Sequence, residues 1–505
     1  MSITKTYSAQ LTGLQVSIVT VEVDISNGLH SFSIVGLGDR AVEEAKDRVS
    51  AAIKNSGYVS PKQKNQKVTI SLAPADTRKE GSSFDVAMAL AYLAASGDIE
   101  VTGEQVLFLG ELSLGGKVRK ISGVLPIMCQ AAKHGFTSAF IPIDNITEAS
   151  LARNIVIYGV HTLQNIVEHL RGIRQLEPTP SIYTTTCDTP CAHDMANIRG
   201  NEPAKRGLEI AAAGAHNIIM CGPPGTGKTM LARSMHSLLP PLSYEHSVEV
   251  TSIYSAAHIL TSGLISQPPF RSPHHTASYP AIVGGGSFPK PGEITLAHRG
   301  ILFMDEFPEF GREVIEALRQ PLEDRQITIS RAQGSLTFPA QSILVASMNP
   351  CPCGLGKDAG CICPERTLLS YWRKLSRPII DRIDIWVPVI KVDYRELIRQ
   401  DVIAETSAAI QKRVARARSI QVRRFQSKNI PICYNSEMGP QHIDTCVKMT
   451  DGARALLGVS AERLKLSGRS FHKVIKIAQT IADLADSENI QKEYVLEALQ
   501  YRQTR

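Results

Sequence analysis

The run HNIIMCGPPGTGKTMLARSM, residues 216 to 235, constrains what this 505-residue chain can fold into more than any other stretch. An apolar segment enters Gly222, four residues follow, and Gly227, Lys228 and Thr229 open an amphipathic helix. Strand, glycine-rich loop and helix in that order make a phosphate cradle, because glycines let successive N–H groups converge on oxygens at a helix N-terminus. Lys228 would neutralise β and γ charge, and Thr229 would hold magnesium. The expected nucleotide contacts are Gly222, Pro223, Pro224, Gly225, Thr226, Gly227, Lys228, Thr229 and Met230, with ATP and Mg²⁺ as ligands. A surface lysine on an ordinary turn is the alternative; the ordered context argues against it.

Hydrolysis needs carboxylates nearby. In GILFMDEFPEF four apolar residues run into Asp305 and Glu306. Asp305 suits the magnesium shell and Glu306 suits polarising the attacking water. A third apolar strand, SILVASMN, ends at Asn349, whose amide can touch the γ-phosphate or the water. A strand-ending Asn also commonly forms a turn.

Around these motifs the chain divides. Residues 1–172 alternate β-like runs (VSIVTVEV, SFSIV, KVTISLA, SAFIPI, NIVIYGV) with helical ones, as an α/β or α+β domain does. A Pro- and Thr-rich stretch, 173–193, reads as a linker, 194–390 as a core with buried parallel strands, and 391–505 as helical. No uncharged apolar run is long enough for a membrane span, and MSITKTYSAQ lacks a secretory signal's apolar segment, so a cytoplasmic location is expected. Ten cysteines in such a chain favour metal over a disulfide framework. The net charge of +7 barely favours a polyanionic partner.

With NEPAKRGLEIAAAGAHNIIMCGPPGTGKTMLA, FRSPHHTASYPAIVGGG, PGEITLAHRGILFMDEFPEF, LRQPLEDRQITISRA, NPCPCG and IIDRIDI in this order, the chain resembles AAA+ ATPases of the magnesium-chelatase-like group, which includes the bacterial ComM/YifB proteins. The resemblance covers nearly the whole chain. It implies an α/β protein: an N-terminal Lon-protease-like (ChlI-type) domain, a linker, a P-loop AAA+ core with a parallel sheet, and a C-terminal helical lid. It places Lys228 and Thr229 in Walker A, Asp305 and Glu306 in Walker B, and Asn349 at the first sensor. Arg382 matches the arginine finger that reaches a neighbouring subunit's nucleotide, and Arg469 the second-sensor arginine. A salt bridge from Arg382 to Asp381 or Asp384 is the alternative. The chain departs from the pattern at Arg377, Gly468 and Gln479, where glycine, a small non-glycine residue and arginine are usual.

Ser83, in RKEGSSFDVAMAL, falls where Lon proteases carry their nucleophile, but the segment matching their lysine base offers only Val124, Leu125, Pro126 and Ile127. A non-proteolytic domain follows. For the load, the resemblance implies an ATP-driven, hexameric ring moving DNA branches during integration of transforming DNA; a chelatase-type or protein-remodelling motor is the alternative. Three stretches are candidate DNA contacts: a hairpin over 326–338 presenting Arg331, the basic run 411–428, and the insertion carrying Arg271 and Tyr279. Their alternatives are a surface hairpin, a solvated lid helix and subunit packing.

Cys351, Cys353, Cys361 and Cys363 form two C-x-C pairs. Four thiolates suit a structural Zn²⁺, although C-x-C is tighter than the usual zinc spacing; four packed thiols are the alternative.

Overall fold

Valines alternating along QVSIVTVEVDISN build the middle of the first sheet. In the computed structural model, which describes residues 4–75, 78–101, 105–180, 193–261, 263–286, 290–331, 334–356, 360–392 and 405–503, this segment is strand β2 (Gln15–Asn27). It pairs antiparallel with β1 (Thr4–Thr12), and Val19, Val21 and Val23 are buried on one face. Adding β3 (Ser31–Val35), β4 (Gln66–Ala73), β5 (Val106–Phe108), β6 (Ser138–Pro142) and β7 (Val156–Val160) gives a seven-stranded sheet in the order β3-β4-β2-β1-β5-β6-β7. Helix α1 (Asp85–Ala95) is apolar on every side and accordingly buried from Asp85 to Leu93.

This sheet belongs to a unit comprising Met1–Thr186 and Ser247–Ile265. The second piece was expected within the core domain. It packs here instead: Ser255 donates to Glu148, and Leu264 lies against the cluster holding Leu107, Val124 and Ile141. Val124, Leu125, Pro126 and Ile127 open helix α2 (Val124–Lys133) and are buried. Lys120 and Lys133 are exposed, and the Ser83 hydroxyl donates to the Ala9 carbonyl at 3.4 Å. Most of the expected linker, 181–192, lies outside the described residues.

The second unit, Cys187–His246 with Ser266–Arg505, holds a five-stranded parallel sheet. Its strands are β8 (Ile218–Cys221), β9 (Phe270–Arg271), β10 (Ile301–Met304), β11 (Ile343–Met348) and β12 (Ile385–Pro388), ordered β9-β10-β11-β8-β12. Every residue of β10 and β11 is buried, as helices on both faces require. The loops leaving β8, β10 and β11 all emerge at the carboxyl edge of the sheet, where parallel α/β sheets bind ligands.

The C-terminal helices complete the same core. Ile410, Val414 and Phe425 of α5 (Ser407–Gln426) and Ile477 and Ile481 of α6 (Gly468–Leu484) share one buried cluster with Leu208 of α3 (Glu202–Gly214), Ile218 and Val387. The helix between α3 and α5 that opens at Lys228 is α4 (Lys228–His236).

This packing gives part of the basic run a structural role. Arg418 donates through Nε and Nη2 to the Ala212 carbonyl, at 2.9 and 2.7 Å, occupying an orphan acceptor in the last turn of α3. Arg413 pairs with Glu209 and Glu405, Arg416 with Asp486, and Arg424 with Asp483. Arg413, Arg418 and Arg424 are thus engaged within their own unit, while Lys412, Arg416, Arg423 and Lys428 are exposed. Gln479 is buried and donates to Asp483 at 3.0 Å, so it faces the interior of the helical region. Gly468 begins α6 behind the Ser467 cap with open space where a Cβ would stand, so a small non-glycine residue would also fit; Arg377 opens the short helix Arg377–Ile380. No helix among the described residues is long and apolar enough to cross a membrane.

Candidate active site

The loop after β8 is shaped by its glycines. A Cβ on Gly222 would come within 2.1 Å of the Val389 carbonyl oxygen. Gly225 and Gly227 take φ values of +75° and +86°, which side-chain-bearing residues avoid, and the space where their Cβ atoms would stand is open. Thr226 closes the turn by donating to the Pro223 carbonyl at 2.9 Å, while Pro224 follows and Met230 is about half exposed on α4.

Lys228 begins α4. Its ammonium donates to the carbonyls of Gly222 at 2.7 Å and Pro223 at 2.8 Å, and to Asn349 Oδ1 at 3.2 Å. Burial lowers its pKa, opposed by the charge of Asp305. These acceptors gather a buried cation where phosphate oxygens could replace them.

Asp305 and Glu306 leave β10. Asp305 Oδ2 accepts from Thr229 Oγ1 at 2.9 Å, while Oδ1 accepts from the Ser347 hydroxyl and from the Glu306 N–H at 3.1 Å. Hydroxyl and carboxylate side by side form the hard oxygen set that magnesium takes, so Thr229 and Asp305 fit that ion. Glu306 adopts φ +51°, a left-handed conformation costing about 1 kcal/mol in a non-glycine residue, held by N–H donation to Ser347 at 3.2 Å. Its exposed carboxylate lies 3.5 Å from His275 Nδ1. Asn349 directly follows β11, and its main-chain oxygen accepts from the Tyr371 hydroxyl at 3.0 Å. Burial raises the Tyr371 pKa, so the phenol stays a donor.

Arg382 and Arg469 are brought together elsewhere. Arg382 precedes β12, donates through Nη1 to the Pro378 carbonyl at 2.6 Å and through Nη2 to Glu323. Glu323, and neither Asp381 nor Asp384, is thus its carboxylate partner. Arg469 Nη2 lies 3.7 Å from the other oxygen of Glu323. The two arginines line a cavity with Arg325, Lys473 and Lys476.

The candidate DNA contacts scatter. Arg271 makes a two-pronged pair with Glu293, both contacts 2.6 Å, which ties the edge strand to a short helix later in the chain. Tyr279 opens a short helix, Tyr279–Val283, and is largely exposed. Gln326–Arg331 and Gly334–Pro339 do form an antiparallel hairpin with Arg331 opposite Gly334, but the tip, 332–333, lies outside the described residues. The sulfurs of Cys351, Cys353, Cys361 and Cys363 lie within 4.8 Å of one another.

Ser347, Tyr371 and Glu323 were not foreseen. Ser347 left a trace, being the one hydroxyl in the apolar run ILVASM. Tyr371 and Glu323 act across loops and left none.

Three family descriptions match along the chain: Subunit ChlI of Mg-chelatase over residues 21–145, Magnesium chelatase, subunit ChlI over 194–397, and Magnesium chelatase, subunit ChlI C-terminal over 404–502. Competence protein ComM of Haemophilus influenzae is 39% identical over 507 residues, spanning 99% of this chain and 98% of its own. The YifB protein of Escherichia coli is 40% identical over 507 residues, spanning 99% and 97%. DNA repair protein RadA of Streptococcus pneumoniae matches a shorter stretch, 34% identical over 86 residues, which is 17% of this chain and 20% of its own.

Proposed function

Because the chain belongs to the magnesium-chelatase-like AAA+ ATPases of the ComM/YifB group, it is an ATP hydrolase, and we propose that it works as a hexameric ring that moves along DNA and migrates branches during homologous recombination, including integration of transforming DNA. The names of its relatives, a competence protein and a DNA repair protein, support the nucleic-acid load.

The placement of Arg382 carries the ring reading. β8 and β12 run parallel with Ile218 opposite Ile385 and Cys221 opposite Pro388. The phosphate loop leaves the carboxyl end of β8, whereas Arg382 precedes β12 and its carbonyl accepts from Asn217 at 3.2 Å, at the amino end. Four strand residues at ~3.3 Å each separate the two ends by about 13 Å. The guanidinium is moreover anchored on Pro378 and Glu323 at its own end. An arginine so placed serves a neighbouring copy's nucleotide, and Arg469 beside it serves the same neighbour.

In this scheme the Gly222–Thr229 loop binds the triphosphate, and Lys228 exchanges its carbonyl acceptors for phosphate oxygens. Magnesium, held by Thr229 and Asp305, supplies charge neutralisation when bound. Glu306 accepts a proton from the attacking water and Asn349 orients it, while Arg382 of the adjoining copy stabilises developing charge. Ser347 keeps Asp305 and the Glu306 backbone in register. Ser83 and its surroundings serve assembly or contact rather than peptide cleavage.

The test is ATP turnover with and without single-stranded, forked and four-way DNA at low salt, alongside Glu306→Gln. Stimulation by DNA and junction movement in the wild type are expected, with Glu306→Gln binding ATP and DNA but doing neither. Turnover indifferent to every DNA and raised by a partner polypeptide would replace this reading with a chelatase-type or remodelling motor.

A further inference from the structure

The four cysteines after Asn349 sit where a metal would matter. Cys351 and Cys353 follow β11 by a few residues. Cys361 and Cys363 precede the helix Glu365–Arg373, from which Tyr371 returns to the Asn349 carbonyl. Both arms of the loop therefore start and finish at the strand end that presents Asn349.

The sulfur positions discriminate among the possible fates of four thiols. Cys351 and Cys353 sulfurs are 3.2 Å apart and Cys353 and Cys361 sulfurs 3.7 Å, with all four inside 4.8 Å. Disulfides need about 2.05 Å. A tetrahedron with zinc–sulfur arms of about 2.3 Å has edges of about 3.8 Å, the scale seen here. An iron–sulfur cluster spreads its cysteines over separate irons and needs a wider cage. The main-chain N–H groups of Gly356 and Cys363 donate to the sulfurs of Cys351 and Cys361 at 3.2 and 3.4 Å, bonds that favour thiolate, the ligating form. Cys351 is buried while the other three are partly exposed, which leaves an entry path.

We propose that Cys351, Cys353, Cys361 and Cys363 bind a single zinc ion in a closed, structural, all-thiolate site that fixes the Asn349 strand end against the phosphate loop. Four soft ligands select zinc and leave no open position for water. The second half of the statement stands on Gly354, whose missing Cβ would lie 2.8 Å from Pro224 Cδ. The knuckle thus abuts the very loop whose Lys228 is hydrogen-bonded to Asn349. Zinc binding is independent of the nucleotide reading; the positioning role rests on it.

The experiment takes the full chain purified under reducing conditions without added metal. Elemental analysis is expected to find about one zinc per chain. Exchange with Co²⁺ is expected to produce visible bands of a tetrahedral ion together with thiolate-to-metal charge transfer, a readout that needs no variant to fold. Cys361→Ser with Cys363→Ser, both at partly exposed positions, is expected to lose the metal while circular dichroism keeps the wild-type helix content. Less than about 0.2 zinc per chain with no cobalt–thiolate spectrum, an iron chromophore, or full zinc retention in the double variant each overturns the site. For the positioning role, chelator-stripped protein is expected to bind a fluorescent ATP analogue within about threefold of the loaded protein but to turn over at least tenfold slower. Unchanged turnover in verified zinc-free protein overturns that role and leaves the ATP assignment standing.

Discussion

Glu323 holds two arginines at once: one carboxylate oxygen accepts from Arg382, and the other lies 3.7 Å from Arg469 Nη2. Arg382 is drawn from the loop before β12 and Arg469 from the first turn of α6, so a single carboxylate ties the core to the helical region at the proposed subunit face. Burial and the neighbouring charge of Arg469 both work against the Arg382 cation, which makes it ready to exchange Glu323 for a phosphate. Arg382→Ala is expected to slow turnover by about 10³-fold or more, the scale that the proposed arginine-finger role carries. Glu323→Ala leaves the guanidinium present but unaimed, for an expected loss of about 10- to 100-fold in kcat with little change in KM. Steady-state kinetics equal to wild type for Glu323→Ala would show that the carboxylate aims nothing.

His275 lies against Glu306: its ring, tilted by 33° to that of His274 with centroids 4.2 Å apart, places Nδ1 3.5 Å from the Glu306 carboxylate. A side chain that engages this carboxylate competes with the water proton it is to accept. His275→Ala is expected to raise DNA-free turnover by about 1.5- to 5-fold, the scale of a weak exposed contact. A fall in turnover approaching that of Glu306→Gln would make His275 part of the hydrolytic machinery instead.

Acid should loosen the joint beneath Arg382. Burial pushes the Asp384 carboxyl up, but the adjacent His216 imidazole, with Nδ1 3.4 Å away, and the charges of Lys473 and Lys476 outweigh it and hold the pKa at about 2, against an ordinary 3.8. A depressed carboxyl stabilises the fold above the unfolded value and loses that contribution as pH falls from about 4 to about 2. Asp384→Asn should therefore cost about 2 kcal/mol at pH 7. In urea titrations the gap between variant and wild type should close toward pH 2; a pH-independent gap would mean that packing, and not charge, is what the substitution removes.

What could be read from residues alone follows how local each feature is. The phosphate loop was legible because its chemistry lies in consecutive residues, from Gly222 to Thr229. The parallel strands were legible because burial on both faces leaves unbroken apolar runs such as ILFM and ILVASM. The basic run 411–428 was legible only in part: charge density is visible in sequence, but the partners of Arg413, Arg418, Arg424 and Arg416, which are Glu209, Ala212, Asp483 and Asp486, come from elsewhere in the chain. The pairing of Arg271 was hidden in the same way, its partner Glu293 lying beyond the intervening loop. The segment 247–265 follows the phosphate-site helix in sequence yet packs with the first unit, which no periodicity announces.

The most direct measurement mixes two inactive proteins. Lys228→Ala lacks the cradle cation but keeps Arg382; Arg382→Ala lacks the guanidinium but keeps the cradle. If adjoining copies share each site, mixed rings place an intact cradle beside an intact arginine, and ATP turnover should reappear at a level set by the mixing ratio. If both variants stay folded and assembled yet the mixture hydrolyses no more than either alone, the shared site is contradicted.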